Sequence, residues 1–244
     1  MPAGLQKSPL DITVSFLSPC RITGVSPNGI LRLMQIIPAI NARDFFAVRE
    51  MLLKTAQFLP TGGWIHIDVA DRSMTPNITW GNPDEFKRLK VSEFKKIHFE
   101  VHLMTRDGEA RAETWRAAGA ERIIVPVELL DAGQCAADIM PSLSPRVTVA
   151  ALKPFFGIAN QFQILAVPPG VPGQNFQEDA LQKIAFVRAH APSVILEVDG
   201  GITPDTGFRA LAAGADILVS SSYIWKSDDP GKAYQQLCAV SVKH

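Results

Sequence analysis

The sequence predicts an α/β protein in which eight parallel strands alternate with helices and close into a barrel. From about residue 33, eight short apolar runs with strand character alternate with amphipathic helical runs. The tripeptide Ala-Gly-Ala occurs at 118–120 and again at 213–215, each time where a helix should end and a strand begin. Glycine suits the left-handed C-cap at such a helix end. Eight βα units within 244 residues are typical of the (β/α)8 TIM barrel.

The predicted elements follow in order along the chain. The apolar runs predicted as strands are residues 33–40, 64–69, 97–104, 122–127, 147–152, 163–167, 194–198 and 217–221. Helical patterns between them include residues 42–57, 109–118, 178–190 and 204–213. About ten residues separate the fifth run from the sixth, whereas a complete crossover with its helix needs at least about 10–12. We therefore predict a shortened fifth helix.

The first 32 residues precede the repeating pattern. They contain an apolar patch together with scattered proline and glycine. We predict that residues 1–32 form an N-terminal extension, an added strand, hairpin or loop, packed on a barrel domain of residues 33–244.

Composition and charge exclude several kinds of partner. Basic and acidic residues both number 24, so no broad basic field is available for nucleic acid. No apolar run approaches the roughly 20 residues of a membrane span.

The three cysteines (Cys20, Cys135 and Cys238) have no paired spacing and are predicted to be free thiols in a reducing compartment. The first 32 residues show neither a secretory nor a transit pattern, so we predict a cytoplasmic protein.

Four potential metal ligands lie at the carboxyl ends of predicted strands. His66 and Asp68 are two residues apart in one apolar strand and therefore project to the same face. His102 and Asp199 lie at the corresponding ends of the third and seventh runs. Because these ends meet at one mouth of a barrel, we expect the four side chains to form a divalent metal site. Two imidazoles and two carboxylates suit Zn, Fe, Mn or Co, without singling one out.

This ligand set indicates a reaction at a carbon next to a carbonyl. A divalent metal polarises a carbonyl and stabilises a developing enediolate. Asp68 and Asp199 come from different sides of the mouth, so they are candidates for an acid/base pair acting on opposite faces of one carbon.

A phosphate site is predicted beside the metal. Gly200 and Gly201 lead into a helix, where backbone N–H groups and the helix start favour an anion. The turn after the eighth run is Ser220-Ser221-Ser222, and phosphate sites in such barrels commonly use the loops after strands seven and eight. An ordinary glycine-rich turn with a polar cap is the alternative interpretation.

These motifs, in this order, resemble the ribulose-phosphate 3-epimerase family. The likeness covers about residues 33–240 and rests on a combination of matching stretches rather than on any one of them. They are residues 38–40 with 44–45, 66–71, 76–81, 101–104, 118–120, 169–170 with 173–176, 197–202 and 227–230.

The resemblance implies a function for each candidate residue. It implies the barrel fold, one divalent metal ion held by His66, Asp68, His102 and Asp199, and the two aspartates as the catalytic acid/base pair. The implied reaction is inversion at C3 of a ketose phosphate through a metal-bound enediolate, so the protein would be an isomerase of pentose phosphate metabolism and a homo-oligomer. The implied substrate and phosphate contacts are Met104, Gly173, Gly200, Gly201, Ser221 and Ser222.

The chain departs from the family pattern at residues that would line the substrate pocket. The family usually has Ser at Ala39, Met-Asp-Gly at Ala70-Asp71-Arg72, Met near Leu165, Gly-Phe-Gly-Gly at residues 170–173, Gly-Ser at Ser221-Ser222 and His at Pro126. Losing methionines changes the pocket wall, and Pro172 removes an N–H that a phosphate could have used. The residues that match the family's metal ligands and acid/base pair are the same in this chain, whereas several residues that would line the substrate pocket differ.

Three functions therefore stay open at this level. The leading one is 3-epimerisation of ribulose 5-phosphate to xylulose 5-phosphate. A paralogue acting on a different ketose or hexulose phosphate is the second, and a non-catalytic phosphosugar-binding barrel is the third, which the complete ligand set argues against. A decarboxylase of the Asp-x-Lys-x-x-Asp type is disfavoured because Val69 and Ala70, not lysine, follow Asp68.

Overall fold

Eight parallel strands close into a barrel, which confirms the predicted (β/α)8 TIM fold. The computed structural model describes residues 22–25, 31–133, 135–136 and 138–240. Its strands are β1 Ile22–Val25, β2 Leu31–Ile40, β3 Trp64–Ala70, β4 His98–Met104, β5 Arg122–Pro126, β6 Ile139–Leu143, β7 Gln161–Leu165, β8 Ile195–Asp199 and β9 Ile217–Ser220. Its helices are α1 Phe45–Thr55, α2 Pro83–Ser92, α3 Gly108–Ala118, α4 Asp179–His190, α5 Pro204–Ala213, α6 Ser222–Trp225 and α7 Pro230–Cys238.

The barrel comprises β2 to β9 in sequence order. Each strand pairs in parallel with the next, and β9 returns to pair with β2 through Gln35 opposite Ile217. The two predicted glycine C-caps are confirmed, with φ of 105° at Gly119 after α3 and 115° at Gly214 after α5. All carboxyl strand ends therefore face one mouth, where α5 starts on a capping box between Thr203 and Thr206.

The position predicted for the fifth barrel strand is wrong. That strand is β6, Ile139–Leu143, and the segment 147–152 instead leads into a 3-10 helix, Val149–Phe155. Pro141 and Ser142 interrupt the apolar character of β6, while the β-branched residues near 147–149 imitate a strand.

The predicted shortening of the fifth helix is confirmed. The connection between β6 and β7 contains the seven-residue 3-10 helix Val149–Phe155. Pro154 lies inside it and has no N–H to donate, which disfavours a longer α-helix. In the described part of the preceding connection, the helical segment is a single 3-10 turn, Val127–Leu129.

An added strand precedes the barrel. The strand β1 pairs antiparallel with the first part of β2, from Ile22 opposite Met34 to Val25 opposite Leu31. Residues 1–21 and 26–30 of the predicted N-terminal extension lie outside the described residues, so the domain boundary at residue 32 stays a prediction.

Two further expectations concern the cysteines and the membrane. Cys135 is a free thiol, as predicted, whereas Cys238 is disulfide-bonded, so the prediction of three free thiols is wrong. In the described ranges, no helix is both long and apolar enough to cross a bilayer.

Candidate metal centre and active site

The structure brings all four predicted metal ligands together at the barrel mouth. One ligand atom from each of His66, Asp68, His102 and Asp199 lies within 4.8 Å of the others. The parallel register sets Asp68 of β3 beside His102 of β4. Asp199 ends β8 on another part of the barrel wall. Inward-facing positions at the ends of three strands thus converge on one point.

His102 supplies the observation that fits a metal. Its side chain is 1% exposed, and neither ring nitrogen has a hydrogen-bond partner among the described residues. Nδ1 lies 3.5 Å from an Asp68 carboxylate oxygen, at the limit of a hydrogen bond. Buried polar atoms without partners are costly and call for an explanation. A divalent cation held between this imidazole and the two aspartates would satisfy it, and the donor set suits such an ion.

His66 is oriented from below by a buried carboxylate. Nδ1 of His66 lies 2.7 Å from Oε1 of Glu100, while Nε2 lies 3.2 Å from Oδ1 of Asp68. Metal-bound histidines commonly use their second nitrogen in this way, which fixes the ring and its tautomer. The bond to Glu100 therefore directs Nε2 of His66 towards the metal centre.

Glu100 belongs to a buried polar layer inside the barrel. Arg122 donates to Glu100, approaches Glu197 at 3.4 Å and lies 4.3 Å from the Trp64 ring centroid. The layer continues through Gln163, whose Nε2 donates to Glu197 at 2.9 Å and whose Oε1 accepts from the Ser142 hydroxyl at 2.6 Å. These residues come from adjacent strands and lie one inward-facing level below the metal ligands.

The sequence analysis did not identify this layer, although a signal was present. Glu100 and Glu197 each precede a ligand by two residues, so they share its inward face. Asn41, which follows β2, was also missed, and its Nδ2 donates to Oδ2 of Asp68 at 3.1 Å. Asp68 is therefore held through both carboxylate oxygens.

The two aspartates have pKa values displaced in opposite directions. Burial disfavours ionised Asp68, but the close approach and charge of the His102 and His66 imidazoles outweigh it and hold the pKa of that carboxyl well below its usual range. Burial raises the pKa of Asp199 to about 7, against the lowering effect of His66 and with Asp68 adding to the rise. Two carboxyls with separated pKa values are what an acid/base pair needs.

The predicted phosphate contacts lie against the same pocket as the metal ligands. Its lining includes Asp68, His102, Met104, Gly173, Asp199, Gly200, Gly201, Ser221 and Ser222. Gly201 has a φ of +67°, and a Cβ there would meet the Phe176 backbone nitrogen at 2.5 Å. Glycine is therefore required where the chain turns towards the predicted anion.

Comparison with known proteins identifies the class of protein that this fold and site define. The sequence model of the ribulose-phosphate 3 epimerase family matches residues 35–225. The chain is 35% identical over 194 residues to the ribulose-phosphate 3-epimerase of Chlamydia muridarum (strain MoPn / Nigg), covering 74% of this chain and 84% of that protein. It is 30% identical over 214 residues to the enzyme of the same name from Mycobacterium tuberculosis (strain ATCC 25618 / H37Rv), covering 83% and 90%.

Solved structures agree on the fold. A 3-hexulose-6-phosphate synthase superposes with a TM-score of 0.65 at 21% identity, over 86% of this chain and 100% of that one. The Salmonella typhimurium 3-hexulose-6-phosphate synthase gives a TM-score of 0.64 at 15% identity, over 85% and 98%.

The chain belongs to the ribulose-phosphate 3-epimerase family, which confirms the predicted resemblance and the isomerase class.

Proposed function

We propose that this protein inverts C3 of a ketose phosphate, with ribulose 5-phosphate and xylulose 5-phosphate as the first pair to test. The observation that carries the proposal is the pair of half-buried aspartates, with pKa values displaced in opposite directions, inside one cluster of four ligands. Sugar-phosphate epimerase activity is the coarser conclusion that family membership supports.

The two aspartates transfer the protons in this mechanism. A divalent cation held by His66, Asp68, His102 and Asp199 would polarise the substrate carbonyl and the neighbouring hydroxyl. One aspartate, as the carboxylate, takes the proton from C3, and the electron pair remains on the substrate as an enediolate. The other aspartate, as the acid, donates a proton to C3 from the opposite face. In the reverse direction the two aspartates exchange roles.

Neighbouring side chains keep the Asp68 carboxylate ionised and oriented for proton transfer. Asn41 donates to one carboxylate oxygen, while His66 and His102 approach the other. These contacts favour the ionised form and fix its direction, because a charged acceptor is stabilised by several donors. The glycine loops and Ser221-Ser222 would hold the substrate phosphate, so that C3 is placed between the aspartates.

Proton exchange tests the proposed reaction. The protein, loaded with Mn or Zn, would be incubated with ribulose 5-phosphate in D2O and followed by proton NMR. We expect deuterium to enter at C3 as xylulose 5-phosphate accumulates. Absence of exchange from the metal-loaded protein with every ketose phosphate tried would refute epimerase function.

We further propose that the active form is a cytoplasmic homo-oligomer with one metal ion per chain.

A cavity beside the metal centre favours a longer ketose phosphate as the second candidate. The cavity measures about 360 Å³ and lies over β4 to β7, and its lining includes the predicted substrate contact Met104 but none of the predicted glycine and serine contacts. Its lining includes His102, Pro126, Ser144, Arg146 and Thr75. Thr75 is 4% exposed, and its hydroxyl has no hydrogen-bond partner among the described residues.

A cavity of this size leaves room for a substrate larger than a pentulose phosphate. Beyond the C2 carbonyl, pentulose and hexulose phosphates carry the same hydroxymethyl group. A hexulose 6-phosphate has one further hydroxylated carbon between C3 and the phosphate, so its sugar chain would extend further towards this cavity when the phosphate is held in place. Turnover of a panel of pentulose and hexulose phosphates distinguishes the two candidates, and a higher kcat/KM for a hexulose phosphate would favour the second.

A further inference from the structure

We propose that Lys226 binds the substrate phosphate through its side-chain ammonium group. The inference rests on the proposed function, because the phosphate contacts belong to that site. Lys226 follows α6, whose first residue is the predicted contact Ser222. A separation of four residues places both side chains on one face, and the Cα–Cβ bond of Lys226 leans back towards Ser222.

The ammonium group lies beside a predicted phosphate contact. A Cβ built on Gly173 would lie 2.9 Å from Nζ of Lys226 and 3.9 Å from Cβ of Ser222. Lys226, Gly173, Gly201 and Ser222 also line one cavity of about 620 Å³, which adjoins the metal pocket through the same glycines. The cation is thus placed between the two glycine-rich loops and the start of α6.

The charge of Lys226 is available to a ligand. Within the described ranges, its side chain has no ion pair or side-chain hydrogen bond. Glu178, a carboxylate that lines the same cavity, is instead paired with Arg209. An ammonium without a protein partner, beside a polar cavity, suits a phosphate as a point charge.

Backbone donors point to the same ligand. Among the described residues, no backbone carbonyl accepts a hydrogen bond from the N–H groups of Gly201, Ser221 or Ser222. Trp225 anchors the helix that carries the serines, because its Nε1 donates to the Ala39 carbonyl oxygen at 2.7 Å. An anion at this position would therefore meet fixed N–H donors and one cation together.

The lysine also accounts for two departures in the phosphate loops. Pro172 lacks the N–H that a phosphate would use, and Ser221 stands where the family pattern has a glycine. The first change removes a backbone donor, and the second crowds the approach of an anion to the backbone. A side-chain cation compensates for the lost donor by supplying charge instead.

Charge removal with a matched control tests the proposal. We expect Lys226→Gln to weaken binding of inorganic phosphate and to raise KM for the phosphorylated substrate about tenfold, with kcat little changed. Lys226→Arg should restore most of the affinity. Lys232→Gln removes the same charge from an exposed position of α7 and should leave both values unchanged. Phosphate affinity would be measured by titration calorimetry on the metal-loaded protein.

The outcomes separate this proposal from the proposed function. A tenfold loss confined to Lys226→Gln would support it. Equal phosphate affinity and KM in Lys226→Gln, Lys232→Gln and the unaltered protein would overturn the assignment of Lys226 and leave the epimerase proposal standing. Failure of the unaltered protein to turn over any ketose phosphate, with phosphate affinity still dependent on Lys226, would refute the epimerase proposal and retain the anion site.

Discussion

Removing the buried charge beneath His66 is expected to weaken metal binding without touching a metal ligand. Glu100→Gln keeps the size of the side chain but replaces the carboxylate that lies 2.7 Å from Nδ1 of His66. A hydrogen bond to a charged group contributes about 1.5–3 kcal/mol. This range corresponds to about a 10- to 100-fold loss of metal affinity, as is typical when such an orienting partner is removed.

The assay is competition for Zn between the protein and a chelator of known affinity, read alongside thermal unfolding of the metal-free protein. Glu121→Gln serves as the matched control, because Glu121 is a partly exposed carboxylate whose partners are Lys90, His98 and the Phe99 backbone N–H, none of which is a proposed metal ligand. We expect the control to retain its Zn affinity. Equal Zn affinity in Glu100→Gln, Glu121→Gln and the unaltered protein would refute the reasoning that Glu100 orients His66.

Three further results are expected from substitution of the residues proposed to act in catalysis and phosphate binding. Asp68→Asn should lower turnover by about 10²- to 10⁴-fold or more, since a base and a metal ligand are lost together, and C3 deuterium exchange at the original rate would contradict this. Asp199→Asn should lower turnover similarly yet stabilise the metal-free protein above pH 7. The pKa of Asp199 is raised from 3.8 to about 7 in the fold, so the cost to the folded state grows as pH rises between these two values and is largest above pH 7. The cost is partly relieved at pH 6, where the folded protein holds the proton. Melting temperatures of both proteins with chelator at pH 6 and pH 8 test this, and an equal difference at the two pH values would count against it. Ser222→Ala should raise KM for a phosphorylated substrate with kcat retained, and steady-state kinetics that show an unchanged KM would exclude Ser222 from the phosphate site.

The metal ligands were predictable because two simple rules place them. Alternation along a strand puts His66 and Asp68 on one face, and barrel geometry brings the carboxyl strand ends to one mouth. The structure then sets the ligand atoms of these residues, His102 and Asp199 within 4.8 Å of one another. Their roles in metal binding and catalysis stay predictions that the experiments above test.

The polar layer and the fifth barrel strand were not predictable in the same way. Glu100 and Glu197 lie in strands, where a charged residue usually indicates a solvent-facing side. Their burial depends on Arg122, which comes from a distant part of the chain. In β6, Pro141 and Ser142 interrupt the apolar pattern by which a strand is recognised in a sequence. The position of β6 is instead fixed by its pairing with β5, where Val125 and Pro126 lie opposite these two residues. Local propensity does not contain such long-range contacts.

The short 3-10 segments, Val127–Leu129 and Val149–Phe155, occupy the same side of the barrel as the large cavity beside the metal centre. Arg146 and Ser144 line that cavity and lie in the connection that also contains the second of these segments. The metal ligands come from β3, β4 and β8, none of which depends on these connections. The architecture therefore separates the four candidate ligands from the part of the barrel that borders the cavity. Substitutions or insertions between β5 and β7 can reshape the cavity while the residues proposed to transfer protons stay in place.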